Sequence, residues 1–107
     1  MFFDISPAER WPDCTADCQN NLQWFKDLPP DDVVSVDGAV KPLVFSPNRV
    51  FFSYGKDLYW FMDFDPAAGG TVGQIVMLYP MYQENYLQVM APDWLAFIEK
   101  LASRLGR

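Results

Sequence analysis

The run from Asp63 to Val76, DFDPAAGGTVGQIV, constrains the fold of this chain more than any other stretch. It sets two carboxylates, a proline and three glycines between two apolar segments, Leu58 to Met62 and Ile75 to Tyr79. Both flanks are rich in aromatic and aliphatic residues, the pattern of well-covered strands. Pro66 fixes φ where the first strand must stop, while Gly69, Gly70 and Gly73 can take backbone angles that a Cβ would strain. The loop between the strands is shaped, and not merely long.

Two chemistries compete for its acids. Alternate residues of an extended chain face one side, so Asp63 and Asp65 could converge on Mg²⁺ or act as an acid and base pair. Alternatively, their oxygens accept amide hydrogens from the glycine turn that follows, as aspartates do in loops. The second reading is preferred, because no third acidic ligand, phosphate cradle or catalytic partner is spaced to help. Gly69 to Gly73 fails as a phosphate loop, since no Lys-Ser or Lys-Thr follows and a strand comes next where a helix N-terminus is required.

The chain contains no histidine. Ser6, Ser35, Ser46, Ser53 and Ser103 lack a nucleophile-elbow context, and neither Cys14 nor Cys18 has a histidine partner, which excludes the usual nucleophile-plus-base hydrolases. The expectation is a non-catalytic chain with no cofactor and no metal. Cys14 and Cys18 share a face if their segment is helical, and two unbridged thiols in a reducing compartment are expected over a disulfide.

The order of aromatic strand, Asp63-x-Asp65-Pro66, small residues, Gly69-Gly70, Gly73-Gln74-Ile75-Val76 and a closing helix resembles the SUKH superfamily, the Smi/Knr type of domain. Leu58 belongs to the same match, and Asp93, Trp94, Phe97, Ile98 and Leu101 resemble the family's last helix. The resemblance runs from about Val40 to Ser103. It departs at the front, residues 1–39, where Leu28-Pro29-Pro30 is followed by Val33-Val34-Ser35-Val36 and not by a helix. The family includes fungal cell-wall synthesis regulators and many bacterial immunity proteins. The resemblance therefore implies a protein that binds a cognate toxin and neutralises it, or else a regulatory or scaffold domain in cell-envelope or secretion assembly.

At 107 residues the chain is long enough for one core and too short for two. A net charge of −6 and the lack of any Lys/Arg cluster argue against nucleic acid, whose phosphates need cations to displace counterions. The same charge suits a basic protein partner, although a modest negative charge also serves solubility alone. No apolar run is long enough for a membrane span and the start lacks a secretory signal, so a cytoplasmic location is expected.

The expected architecture is α+β, an antiparallel sheet of about four to six strands with an N-terminal helical segment and a C-terminal helix packed on the sheet. After an irregular lead-in, Asp13 caps a helix from about Cys14 to Lys26 with Cys18, Leu22 and Phe25 inside. Strands follow at Val33 to Val36, Val40 to Phe45 (an edge strand or a strand start, given Pro42), Arg49 to Tyr54, Leu58 to Met62, Gln74 to Tyr79 and Tyr86 to Met90. Asp37-Gly38 makes a turn, Pro80 to Asn85 makes a connection, and Pro92 opens the last helix, whose apolar face holds Trp94, Leu95, Ile98, Leu101, Ala102 and Leu105. Tyr59, Phe61 and Asp63 lie on the sheet face opposite Leu58, Trp60 and Met62. The richest supply of aromatic anchors beside carboxylates is Tyr79, Tyr82, Glu84 and Tyr86, with Asp57 and Tyr59 nearby, and these are the candidate partner-binding residues.

Overall fold

The computed structural model describes residues 7–23, 33–55, 58–81 and 84–105. A five-stranded sheet in the order β1-β5-β4-β3-β2 carries one helix against each face, an α+β architecture. The strands are β1 (Val33–Asp37), β2 (Arg49–Gly55), β3 (Leu58–Asp63), β4 (Gln74–Met81) and β5 (Glu84–Ala91), and the helices are α1 (Trp11–Leu22) and α2 (Trp94–Leu105). Strands β2 to β5 form the expected antiparallel meander. The sheet is nevertheless mixed, because β1 joins β5 in parallel at the far edge.

That parallel pair follows from the route of the chain. Gly38 leaves β1 with φ +104, at a place where a Cβ would lie 2.7 Å from the Val89 side chain, and the segment from Ala39 to Asn48 crosses the sheet end to reach β2. The expected strand at Val40 to Phe45 is therefore absent. Tight local bonds from the Val40 amide to Gly38 O and from the Leu43 amide to Lys41 O bend the segment, and Val40 and Val44 are buried. Its route is transverse to the strands it would have joined.

Helix α1 starts earlier than the sequence suggests. Pro12 is tolerated in the first turn, where its missing amide has no helical partner to lose, and Asp13 becomes a first-turn acid near the positive end of the dipole instead of a cap. Cys18 and Leu22 face the core, while the expected continuation through Phe25 to Lys26 lies outside the described residues. Strand β4 runs on through Pro80 to Met81, so the Pro80 to Asn85 connection is mostly strand. Proline is accommodated there because the β3–β4 ladder extends only to Tyr59 opposite Leu78, leaving Pro80 paired on the β5 side alone.

Each face has its own apolar cluster. Phe51, Phe61, Val76, Leu78 and Leu87 pack under α1 and the crossing segment, with Cys18, Leu22, Val40 and Val44 above them. On the other face Phe52, Trp60 and Ile75 meet Phe97 of α2, flanked by Trp11 and Trp94. A β-bulge makes both possible: Phe51 pairs with Phe61 and Ser53 with Trp60, so the extra residue, Phe52, turns toward α2. Each fully buried ring contributes about 1.5–3 kcal/mol. Asp93, and not Pro92, sets the start of α2, its Oδ1 accepting the Ala96 amide at 2.8 Å. Leu95, expected inside, is 68% exposed.

The edge strand β2 is covered by α1. Thr15 Oγ1 accepts the Phe51 amide at 2.8 Å and lies 3.4 Å from the Phe51 carbonyl oxygen, to which it donates. This bracket satisfies main-chain groups that would otherwise face outward.

Candidate functional site

Asp63 ends β3 with its side chain only 1% exposed. Oδ1 accepts the Asp65 amide at 3.0 Å, Oδ2 accepts Nε2 of Gln74 at 3.1 Å, and the Asp63 carbonyl accepts the Gly73 amide at 2.7 Å. Gln74 is equally committed: Nε2 also donates to Ala39 O at 2.8 Å, and Oε1 accepts the Thr71 amide at 3.3 Å. The Ala67 amide reaches the same Ala39 oxygen at 3.3 Å, and a Cβ on Gly70 would come within 2.6 Å of it. The motif is thus a clamp between the β3–β4 loop and the segment that crosses from β1 to β2.

The carboxylate pair does not converge. Asp65 turns outward, 2.8 Å from Lys41 Nζ, and the hydrogen bond from Lys41 holds its carboxyl below the usual aspartate range. Asp63 receives its amide hydrogen from Asp65, while glycine Gly73 serves its main-chain carbonyl. Arg49, opposite Asp63 in register, is 3% exposed; its Nη1 donates to Val44 O at 3.1 Å and its guanidinium lies 4.5 Å from the Phe61 ring centroid. Burial lowers its pKa to about 10, which still leaves it cationic at neutral pH. Among the described residues, no three or more Cys, Asp or Glu side chains gather to hold a metal ion. A groove beside the clamp, lined by Ala39, Gly69 to Thr71, Gln74 and Val89 to Pro92, presents main chain and uncharged side chains. Cys14 and Cys18 are unbridged, with Sγ atoms 4.0 Å apart, and burial pushes the Cys18 thiol up. A neutral core thiol is a poor nucleophile.

The expected partner-binding residues divide between the two faces. Tyr79 and Tyr86 are direct cross-strand partners, and Ser35 pairs with Tyr86. Continuing the β3–β4 register by one residue places Leu58 beside Tyr79, giving a transverse row of Leu58, Tyr79, Tyr86 and Ser35 on the α2 face. Leu58, Tyr79 and Tyr86 are half-buried, and they lie outside both core clusters. Tyr59 is separated from them, because two-residue alternation turns it to the α1 face. There it packs against Phe51 and stacks on Tyr54 with ring centroids 5.6 Å apart. Glu84 occupies the register position beside Met81 and Val33. Asp57 and Tyr82 lie outside the described residues. Sequence reasoning missed Ser35 and Leu58, which enter the row only through the register.

The exposed charge among the described residues keeps the sign of the net charge. Lys41 pairs with Asp65, Arg49 and Asp63 are both buried, and Arg10 and Lys100 are exposed, Lys100 donating to Met90 O at 3.0 Å. Glu9, Asp13, Asp17, Asp37, Asp93 and Glu99 are exposed. No helix among the described residues is long and apolar enough to cross a membrane. No protein-family model matches the chain, and no curated protein matches it.

Proposed function

We propose that this chain is a non-catalytic protein-binding domain of the SUKH type, an immunity protein that binds a basic toxin domain and neutralises it. The observation that carries the reading is the balance of exposed charge among the described residues: six acids face solvent against two exposed cations, Arg10 and Lys100. Such a surface speeds encounter with a cationic partner and disfavours others. The row of Leu58, Tyr79 and Tyr86 supplies apolar contact area beside that charge, which is the composition of an interface core with a polar rim. The commitment of both Asp63 oxygens to the clamp favours binding over catalysis as the role of this chain.

The test is co-purification of the chain with a toxin domain encoded alongside it, at low and moderate salt, using the parent, Tyr79→Ala and Tyr86→Ala. The parent is expected to bind in a salt-weakened manner, and each variant to dissociate faster by loss of an anchor. A toxin domain that ignores the parent at every salt concentration overturns the proposal.

A further inference from the structure

The two edges of the sheet are treated differently. On β2 Thr15 brackets the Phe51 amide and carbonyl, and α1 packs along the strand. On β1 no described element pairs with the outer side, and Ser35, Val36 and Asp37 are exposed, Val36 to 42%. An open strand edge is a template for another extended chain.

Its side chains specify what that chain must look like. Alternation places Val34 and Val36 toward the α1 face, where Val34 packs against the core cluster and Val36 remains uncovered. Ser35 and Asp37 turn to the other face, beside Tyr86 and Gln88. An exposed acid, Asp37, stands on the edge strand itself.

We propose that β1 is a docking edge for an extended basic segment of a partner protein, which adds a sixth strand to the sheet. The segment presents apolar residues on one side to cover Val34 and Val36, and lysine or arginine on the other to meet Asp37. Charge selects this occupant over a second copy of the chain, since two copies would bring together two molecules each carrying −6. This deepens the protein-binding reading above by naming the mode of contact. The row Leu58–Tyr79–Tyr86–Ser35 runs directly into the edge, so an added strand and a partner body on the α2 face would form one continuous surface.

The test uses the full chain, isotopically labelled, titrated with a capped nine-residue peptide that alternates valine with lysine and threonine, and with its glutamate-for-lysine counterpart. The lysine peptide is expected to shift the backbone amides of Val33 to Asp37 and to bind about tenfold or more tightly than the glutamate peptide. Val36→Lys, a change at an exposed position, is expected to abolish those shifts while leaving the spectrum otherwise folded. Shifts elsewhere than β1, or equal response to both peptides, overturn the proposal. So does a concentration-dependent dimer in sedimentation that Val36→Lys dissolves, which would assign the edge to a second copy. A cognate toxin held equally well by parent and Val36→Lys would sink the edge but leave the protein-binding reading standing. Conversely, lysine-peptide shifts intact in a chain that binds no cognate toxin would support the edge and remove the toxin.

Discussion

Replacing Gln74 by alanine removes the centre of the clamp. Three bonds are lost: Nε2 to Asp63 Oδ2, Nε2 to Ala39 O, and Oε1 to the Thr71 amide. The first is to a carboxylate only 1% exposed, so it counts as a charge-assisted bond whose loss leaves a buried acceptor short, about 1.5–3 kcal/mol. The Ala39 carbonyl adds about 1 kcal/mol, and Thr71, being exposed, can be satisfied by water at little cost. The sum is about 2.5–4 kcal/mol, a large part of the 5–15 kcal/mol available to a typical domain. Urea unfolding followed by tryptophan fluorescence reads this as a lower midpoint at unchanged slope. Gln74→Glu should do no better than alanine, since it sets a second carboxylate against Asp63 and an acceptor against Ala39 O. A loss below about 1 kcal/mol for Gln74→Ala would mean that the loop is held by other contacts and that the clamp is incidental.

Thr15→Val should lower stability by about 1–2 kcal/mol in the same assay, because it keeps the shape of the side chain but strands the outward Phe51 amide and carbonyl. Gly70→Ala should cost about 1–3 kcal/mol by driving a methyl toward Ala39 O and the Pro66 ring, displacing the loop from the crossing segment. Asp65, whose folded-state pKa is depressed by Lys41, contributes stability that is present above the usual aspartate range and is lost as pH falls through the lowered value. Melting temperatures measured from neutral pH into acid should therefore fall less steeply for Asp65→Asn than for the parent.

The sequence made the meander legible wherever local pattern and local partner coincided. Leu58 to Met62 and Ile75 to Tyr79 are hairpin neighbours across one loop, and the alternation of Trp60 and Met62 against Tyr59 and Phe61 predicts which face each one enters. Strand β1 was visible as a short apolar run, but its partner is not. Pairing Val33–Asp37 with Glu84–Gln88 depends on contacts about fifty residues away, which no local pattern encodes. Val40 to Phe45 looked like a strand for the same reason. Its valines are apolar because the segment covers the sheet, and burial alone does not distinguish a strand from a transverse loop. Leu95 shows the limit of helical periodicity: of six apolar residues assigned to one face, Leu95 stands 68% exposed and Ala102 is also in water, while Trp94, Ile98 and Leu101 pack on the sheet. The clamp was half legible, since Asp and Gly in such a loop predict local bonding, whereas the reach of Gln74 to Ala39 required the parallel edge to exist first.

The central claim is that this acidic chain disables a basic toxin by occupying it, and titration of the purified chain into a toxin domain encoded alongside it tests this most directly. With the toxin's own activity as readout, activity should fall in proportion to added chain and vanish at equimolar amounts, and association should slow as salt rises. Undiminished toxin activity in the presence of excess folded chain would contradict the account.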